Sequence, residues 1–210
     1  MTSATPPPTS LGLVSAAPTS RLDEVGSALL QAADQLLTNE GAGALTVRRI
    51  AAEAGVSTMN VYSRFGGKDG VVEQLYVQGY SLLAQGMRDV GDTDDPLEDL
   101  RRCGLAYRRF AIQHATLYAV MFEGVVADYQ PSPQALDVAM GTLELLAARL
   151  QRAMDRDLVR QMPAIHAAAI VWSTCHGVVS LELEHPTDQP VEWERVFTDA
   201  THAVVRGLAP

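Results

Sequence analysis

The chain has 210 residues, 47% hydrophobic and 20% charged, with a formal net charge of −9. That length allows one medium domain, or a small one joined to a larger, with a core that needs no disulfide or metal. Only two cysteines occur, Cys103 and Cys175, which excludes a disulfide scaffold and a cysteine-rich zinc site. No apolar run reaches the roughly 18 to 20 residues of a spanning helix, so no membrane partner is expected. The first charged residue is Arg21, so a basic secretory leader is not expected and a cytoplasmic location is.

Residues 1–20 hold Pro6, Pro7, Pro8 and Pro18 among Thr, Ser and Ala. With little to bury, this segment is expected to be a disordered tail. From Leu22 the apolar residues Val25, Leu29, Ala32, Ala33 and Leu36 recur at helical spacing, with Gly41 beyond the end. Thr46 stands as an N-cap before a short helix that reaches about Ala54. Gly55 breaks it, Ser57 caps a third helix over Thr58–Ser63, and Gly66-Gly67 breaks again. A long helix is expected from Lys68 to about Val90, followed by a polar linker with Asp92, Asp94, Asp95 and Pro96.

Everything beyond the linker also reads as helix. Leu100, Cys103, Tyr107, Phe110, His114, Tyr118 and Met121 form one stripe with a break near Ala115-Thr116. Leu136, Met140, Leu143, Leu146, Leu150 and Met154 form a second, after Pro131 and Pro133. Pro163 opens a helix carrying Ile165, Ala168, Trp172, Cys175 and Val179, which stops before Pro186. Pro190 precedes a last helix with the stripe Trp193, Phe197, Ala200, Val204 and Leu208. The expected fold class is all-α, with no strand and no repeat.

The net charge conceals an asymmetry. Between Gly41 and Lys68 stand Arg48, Arg49, Arg64 and Lys68 against Glu53 alone, a local +3, whereas Gly91–Pro210 carries 10 basic and 17 acidic residues. A basic window on an acidic body points to one anion-binding face. The same window holds two short helices around a glycine turn, which is a helix-turn-helix pattern. Ala51 and Ala52 allow close approach, and Val56 and Val61 supply a buried face. Ser57, Thr58 and Asn60 then sit at the N-terminus of the second helix, where base edges are read in that motif.

The string Val61-Tyr62-Ser63-Arg64-Phe65-Gly66-Gly67-Lys68-Asp69 resembles the Tyr-x-x-Phe-x-x-Lys-[Glu/Asp] signature of the TetR family of bacterial regulators, and the likeness runs over residues 22–90. It implies that Tyr62 and Lys68 contact backbone phosphates, Lys68 beside the positive end of a helix dipole. Thr46, Arg48 and Arg49 join them as expected DNA contacts. Met59 stands where many relatives have Gly, Pro or a polar residue, so the bases read do not transfer. Trp172-Ser173-Thr174-Cys175-His176-Gly177 resembles the Trp-His-Gly signature of one C-terminal subgroup.

The resemblance implies three parts: a head over 21–67, a connecting helix over 68–90, and a ligand-binding and dimerisation body over 91–210. Homodimerisation would use the last two helices, with His176, Val179, Trp193, Phe197, Ala200 and Val204 at the interface. A small-molecule effector is expected among Tyr80, Met87, Tyr107, Phe110, Tyr118, Met121, Met140 and Trp172, because Met and aromatic side chains adapt to varied apolar ligands. The same stripes also suit plain core. The expected function is a ligand-responsive, sequence-specific transcriptional regulator acting on an operator duplex, most simply a repressor.

Two alternatives stand beside it: a DNA-binding regulator without a ligand, and a helical enzyme. The enzyme lacks a constellation. Neither G-x-S-x-G nor H-E-x-x-H occurs, no phosphate-loop signature surrounds Gly66-Gly67, and Cys175 and His176 are adjacent on a helix, so their side chains diverge. No catalytic residue, metal or cofactor is expected. His176 reads as a packed histidine at a helix contact beside Gly177.

Overall fold

A computed structural model describes residues 22–185 and 191–210. The proline-rich segment 1–20, expected to be a tail, and the stretch around Pro186 and Pro190 lie outside the described residues. Among the described residues there are nine α-helices and no strand. They are α1 (Glu24–Glu40), α2 (Val47–Glu53), α3 (Thr58–Phe65), α4 (Lys68–Asp89), α5 (Pro96–Gln113), α6 (Ala115–Phe122), α7 (Pro133–Met154), α8 (Ala164–Glu184) and α9 (Trp193–Gly207). A 3-10 turn, Ala42–Ala44, leads into α2.

Local chemistry sets the ends. The Asp23 carboxylate accepts from the Gly26 N–H at 2.7 Å, so α1 begins at Glu24 and leaves Leu22 outside it. Thr46 accepts from the Arg49 N–H at 3.3 Å, and Asp95 from those of Leu97 and Glu98 at 3.0 and 3.1 Å. Such caps satisfy donors that the first turn leaves free and stabilise a helix by about 1 kcal/mol each. Pro96 and Pro133 occupy first turns, where the missing N–H is harmless. Ser57 stands at the N-cap of α3, but its hydroxyl takes no backbone N–H. It accepts from the Asn60 side chain instead.

Helices α1 to α3 pack around Leu29, Ile50 and Val61, all fully buried. Helix α4 starts in this head and runs on into the body, where α5, α6 and α7 pack against it and α8 and α9 close the far side. Its two ends are fastened differently. Near the head, the Glu73 carboxylate accepts from the Tyr129 hydroxyl at 2.6 Å, the Ser132 N–H at 3.3 Å and the Ser132 hydroxyl. At the other end, the buried Arg149 donates to the Met87 carbonyl at 2.8 Å. Arg152 bridges Asp92 and the fully buried Asp99, at 2.9 and 3.1 Å.

Helix α8, 21 residues long, does pass the length and hydropathy test for a membrane span, with mean hydropathy 1.4 over an 18-residue window. Ala167, Ala168, Val171, Cys175 and Val179 pack its inner face against the body. Its outer face leaves Ile165 and Leu181 exposed.

Candidate functional site

The turn between α2 and α3 is built on Gly55, whose φ of 67° lies in the left-handed region that glycine enters without steric cost. The Val56 N–H then reaches back to the Ala51 carbonyl at 2.9 Å. Ala51 is buried at this crossing and Val56 half-buried, whereas Ala52 is exposed and takes no part in it. With Val61 inward, α3 turns Thr58, Met59, Tyr62 and Ser63 to solvent. Met59 is 70% and Tyr62 55% exposed, so Tyr62 is not core.

Asn60 is half-buried and already engaged at both ends of its amide. Its Nδ2 donates to Ser57 Oγ at 3.1 Å, and its Oδ1 accepts from Arg64 at 2.8 Å. Arg64 in turn donates to both Asp23 oxygens, with a closest approach of 2.6 Å. That pair, with the Gly26 N–H, holds the Asp23 carboxyl down at about 2. Arg64 thus ties the exposed helix to α1. It escaped the sequence reading of site residues, although its spacing of four from Asn60 on one helix face was a usable signal.

The three expected cationic contacts and Thr46 divide. Arg49 forms a bidentate pair with Glu40 at 2.6 and 2.7 Å, so it meets a phosphate only by exchanging partners. Arg48 is exposed and without an ion pair among the described residues. Lys68 is half-buried at the N-terminus of α4 and lies 3.8 Å from Asp69. Thr46 is spent as a cap on the exposed rim of α2.

The body contains a partly open cavity of about 890 Å³. Tyr80, Met87, Tyr107, Met140 and Trp172, all expected, line it. Phe110, Tyr118 and Met121 do not. Phe110 is buried 5.4 Å from the His114 ring. Met121 fills the space over Gly79, which brings α4 and α6 together where a larger residue would overlap its sulfur. Tyr118 is fully buried, with Oη 2.6 Å from His176 Nδ1 and 3.1 Å from Tyr107 Oη. Tyr76, Leu83 and Leu143 line the cavity without having been singled out, and Phe122 lines it too. Helical period alone does not separate a wall residue from a core residue on the same face.

Ionisation of the buried thiols and phenols of the cavity wall is suppressed. Burial pushes the Cys103 and Cys175 thiols up to about 11 and about 12, and it raises the Tyr107 and Tyr80 hydroxyls further. Burial lowers His176 below the ordinary histidine value. A neutral thiol is a poor nucleophile, and these groups act as soft apolar wall. His176 is packed as expected of it, among Tyr118, Phe122 and Trp172 at ring separations of 5.7, 5.1 and 5.5 Å.

Two expected interface residues require correction. Val179 and Phe197 have 0% and 1% of their surface exposed within one chain. Phe197 packs beside Gly104 of α5. Neither has surface left to offer a second copy, and His176 faces the aromatic cluster. Trp193, Ala200 and Val204 remain half-buried on α9.

A helix-turn-helix head with a solvent-facing recognition helix, carried on a helix that continues into a cavity-bearing helical body, defines a DNA-binding transcriptional regulator. Residues 29–75 match the family "Bacterial regulatory proteins, tetR family", and residues 100–204 match "Tetracyclin repressor-like, C-terminal domain". The chain belongs to the TetR family. It is 25% identical over 187 residues to the uncharacterised HTH-type transcriptional regulator YvkB of Bacillus subtilis, covering 86% of this chain and 95% of that one. Its fold is similar to that of a protein of unknown function from Rhodococcus sp. RHA1, with a TM-score of 0.78 at 21% identity, over 92% and 100% of the two chains. It is also similar to the fatty acid degradation regulator FadR of Bacillus halodurans, with a TM-score of 0.76 at 17% identity, over 90% and 98%.

Proposed function

We propose that this regulator is a repressor that binds its operator as a homodimer in the cytoplasm and releases it when a small molecule fills the cavity. The observation that carries the reading is the double membership of α4. Lys68 opens it beside the recognition helix, while Tyr76, Tyr80, Leu83 and Met87 on the same helix line the cavity. A ligand that fits only one placement of α4 therefore biases the placement of the head. Its effect is limited to the difference in its affinity for the two states.

Tyr62, Lys68 and Arg48 supply phosphate contacts in this reading. Ser57, Thr58 and Asn60 supply base contacts, with Asn60 exchanging its internal bonds for a base edge. The dimer uses the outer faces of α8 and α9, where Ile165, Leu181 and Val196 are exposed and Trp193, Ala200 and Val204 half-buried. A two-fold pairing of one apolar patch with itself suits that distribution. The head spans 21–67, the connecting helix 68–90 and the body 91–210.

The test begins with selection of a preferred duplex from random DNA, which yields the operator. Compounds that raise the melting temperature of the protein are then added to the complex, since a ligand of the folded state stabilises it by mass action. Release of the operator by a compound that occupies the cavity is the expected result. A cavity ligand that leaves operator affinity untouched leads instead to a regulator without an effector.

A further inference from the structure

We propose that the cavity takes a rod-shaped amphiphile, a long apolar body with one anionic head, the body seated against Trp172 and the head at Arg206. This rests on the ligand-responsive reading and adds the chemical class of the ligand.

Shape comes first. The lining follows α5 from Leu97 to Tyr107 and α4 from Tyr76 to Met87. Ten residues of α5 span about 15 Å at the rise of a helix, so the void is elongated along the bundle. Toward Tyr107 the lining carries the aromatic group Tyr80, Phe122 and Trp172. It also reaches Arg206 and Ala209 at the end of α9.

The polar lining is almost wholly spent within the protein. Thr142, Thr198 and Thr201 donate to the carbonyls of Val138, Glu194 and Phe197 at 3.4, 2.9 and 2.7 Å. They turn their methyl groups, not free donors, to a ligand. Asp95 caps α5, its Oδ1 accepting from two N–H groups of that helix. Glu98 and Arg101 neutralise each other through two hydrogen bonds of 2.6 and 2.7 Å.

Arg206 is different. It lines the cavity, and among the described residues it has no ion pair and no side-chain hydrogen bond. His202 stands one turn before it on the same face of α9 and also lines the cavity. Arg206 is therefore the one charged lining residue with neither an ion pair nor a side-chain hydrogen bond among the described residues, while the Asp95 charge is met by the positive end of α5. A carboxylate head gains a charge-assisted, bidentate partner there. A cationic head meets an unpaired like charge, and an uncharged one leaves Arg206 as it stands in water.

The probes are dodecanoate, dodecanol and dodecylamine, each below its micelle concentration, titrated calorimetrically into the full-length protein. Dodecanoate is expected to bind at least tenfold more tightly than the other two. Arg206→Glu should reverse the order of carboxylate and amine, while Arg195→Glu, outside the cavity on the same helix, should leave it unchanged. Trp172→Ala should weaken all three similarly. Equal affinities, a preference for the amine, or no binding by any of the three overturns the inference. Operator release separates the two readings: a chain of any head group that binds and releases DNA keeps the ligand-responsive reading while the anionic assignment falls.

Discussion

The Tyr129 hydroxyl donates to the Glu73 carboxylate at 2.6 Å, and this bond ties the loop between α6 and α7 to α4 about one and a half turns from Lys68. The Tyr129 ring lies 6.1 Å from Tyr76, which lines the cavity. The cavity wall and the latch on the head-bearing end of α4 are therefore one packed unit.

Tyr129→Phe removes that bond and leaves a carboxylate short of a donor. The expected loss is about 1.5 to 3 kcal/mol, the range for hydrogen bonds to charged groups, measured by urea denaturation. Burial raises the Glu73 carboxyl, but the Ser132 and Tyr129 bonds outweigh it and leave the group below its ordinary 4.5. A lowered carboxyl stabilises the fold fully above the unfolded value and loses that contribution as pH falls through the folded one. Glu73→Gln should flatten the acid limb of the stability curve below about pH 4.5. An unchanged acid limb would leave Glu73 with no linkage role.

The recognition face should divide by kind of contact. Tyr62→Phe and Lys68→Ala are expected to weaken all duplexes alike and to reduce the salt slope, because phosphate contacts carry no sequence information. Asn60→Ala should relax preference at one or two positions by about 1 to 3 kcal/mol. Arg64→Ala frees the Asn60 carbonyl and the anchor to Asp23, and should alter base preference without removing a phosphate contact. Selection from a randomised half-site distinguishes the outcomes. A uniform loss for Asn60→Ala would move base reading to Ser57 and Thr58.

All nine helices were legible from the 3.6-residue period and from punctuation by Thr46, Gly55, Pro96 and Pro133. The head was legible in more detail, because spacing and a turn glycine fix which faces meet. The body was not. Phe197 and Trp193 lie four apart on one stripe, yet one is fully buried and the other half-buried, since a stripe does not say whether its partner is the same chain or a second one. Leu136 shares a stripe with the fully buried Leu150 and Met154 and is 50% exposed, because it lines an open cavity. Tyr118 and Tyr107 share a stripe and a hydrogen bond, and only Tyr107 reaches the void. Emptiness leaves no periodic mark in a sequence.

The dimer should respond to the outer residues and not to Phe197. Leu181→Asp with Val196→Asp is expected to give monomers by sedimentation with the helical signal retained. Phe197→Ala should instead cost about 3 to 5 kcal/mol as a core truncation. If Leu181→Asp with Val196→Asp stays dimeric, the interface lies elsewhere on the body.

Gly70, in the first turn of α4, leaves less room for a Cβ than any other glycine among the described residues. A Cβ there would overlap the backbone carbonyl of Phe65, at the end of the recognition helix. Backbone cannot step aside as a side-chain tip does, so the path from α3 into α4 must open. Gly70→Ala gains helix propensity of about 1 kcal/mol at an exposed site. Here the overlap should exceed that gain and cost at least the 1 to 3 kcal/mol of roughly one overpacked methyl. Gly70 is not among the residues that line the cavity, so the loss should fall mainly on the head. Operator binding is expected to fall at least tenfold, while calorimetric binding of a cavity ligand stays within a few-fold. Normal operator affinity in Gly70→Ala would mean that the angle between α3 and α4 does not depend on this approach.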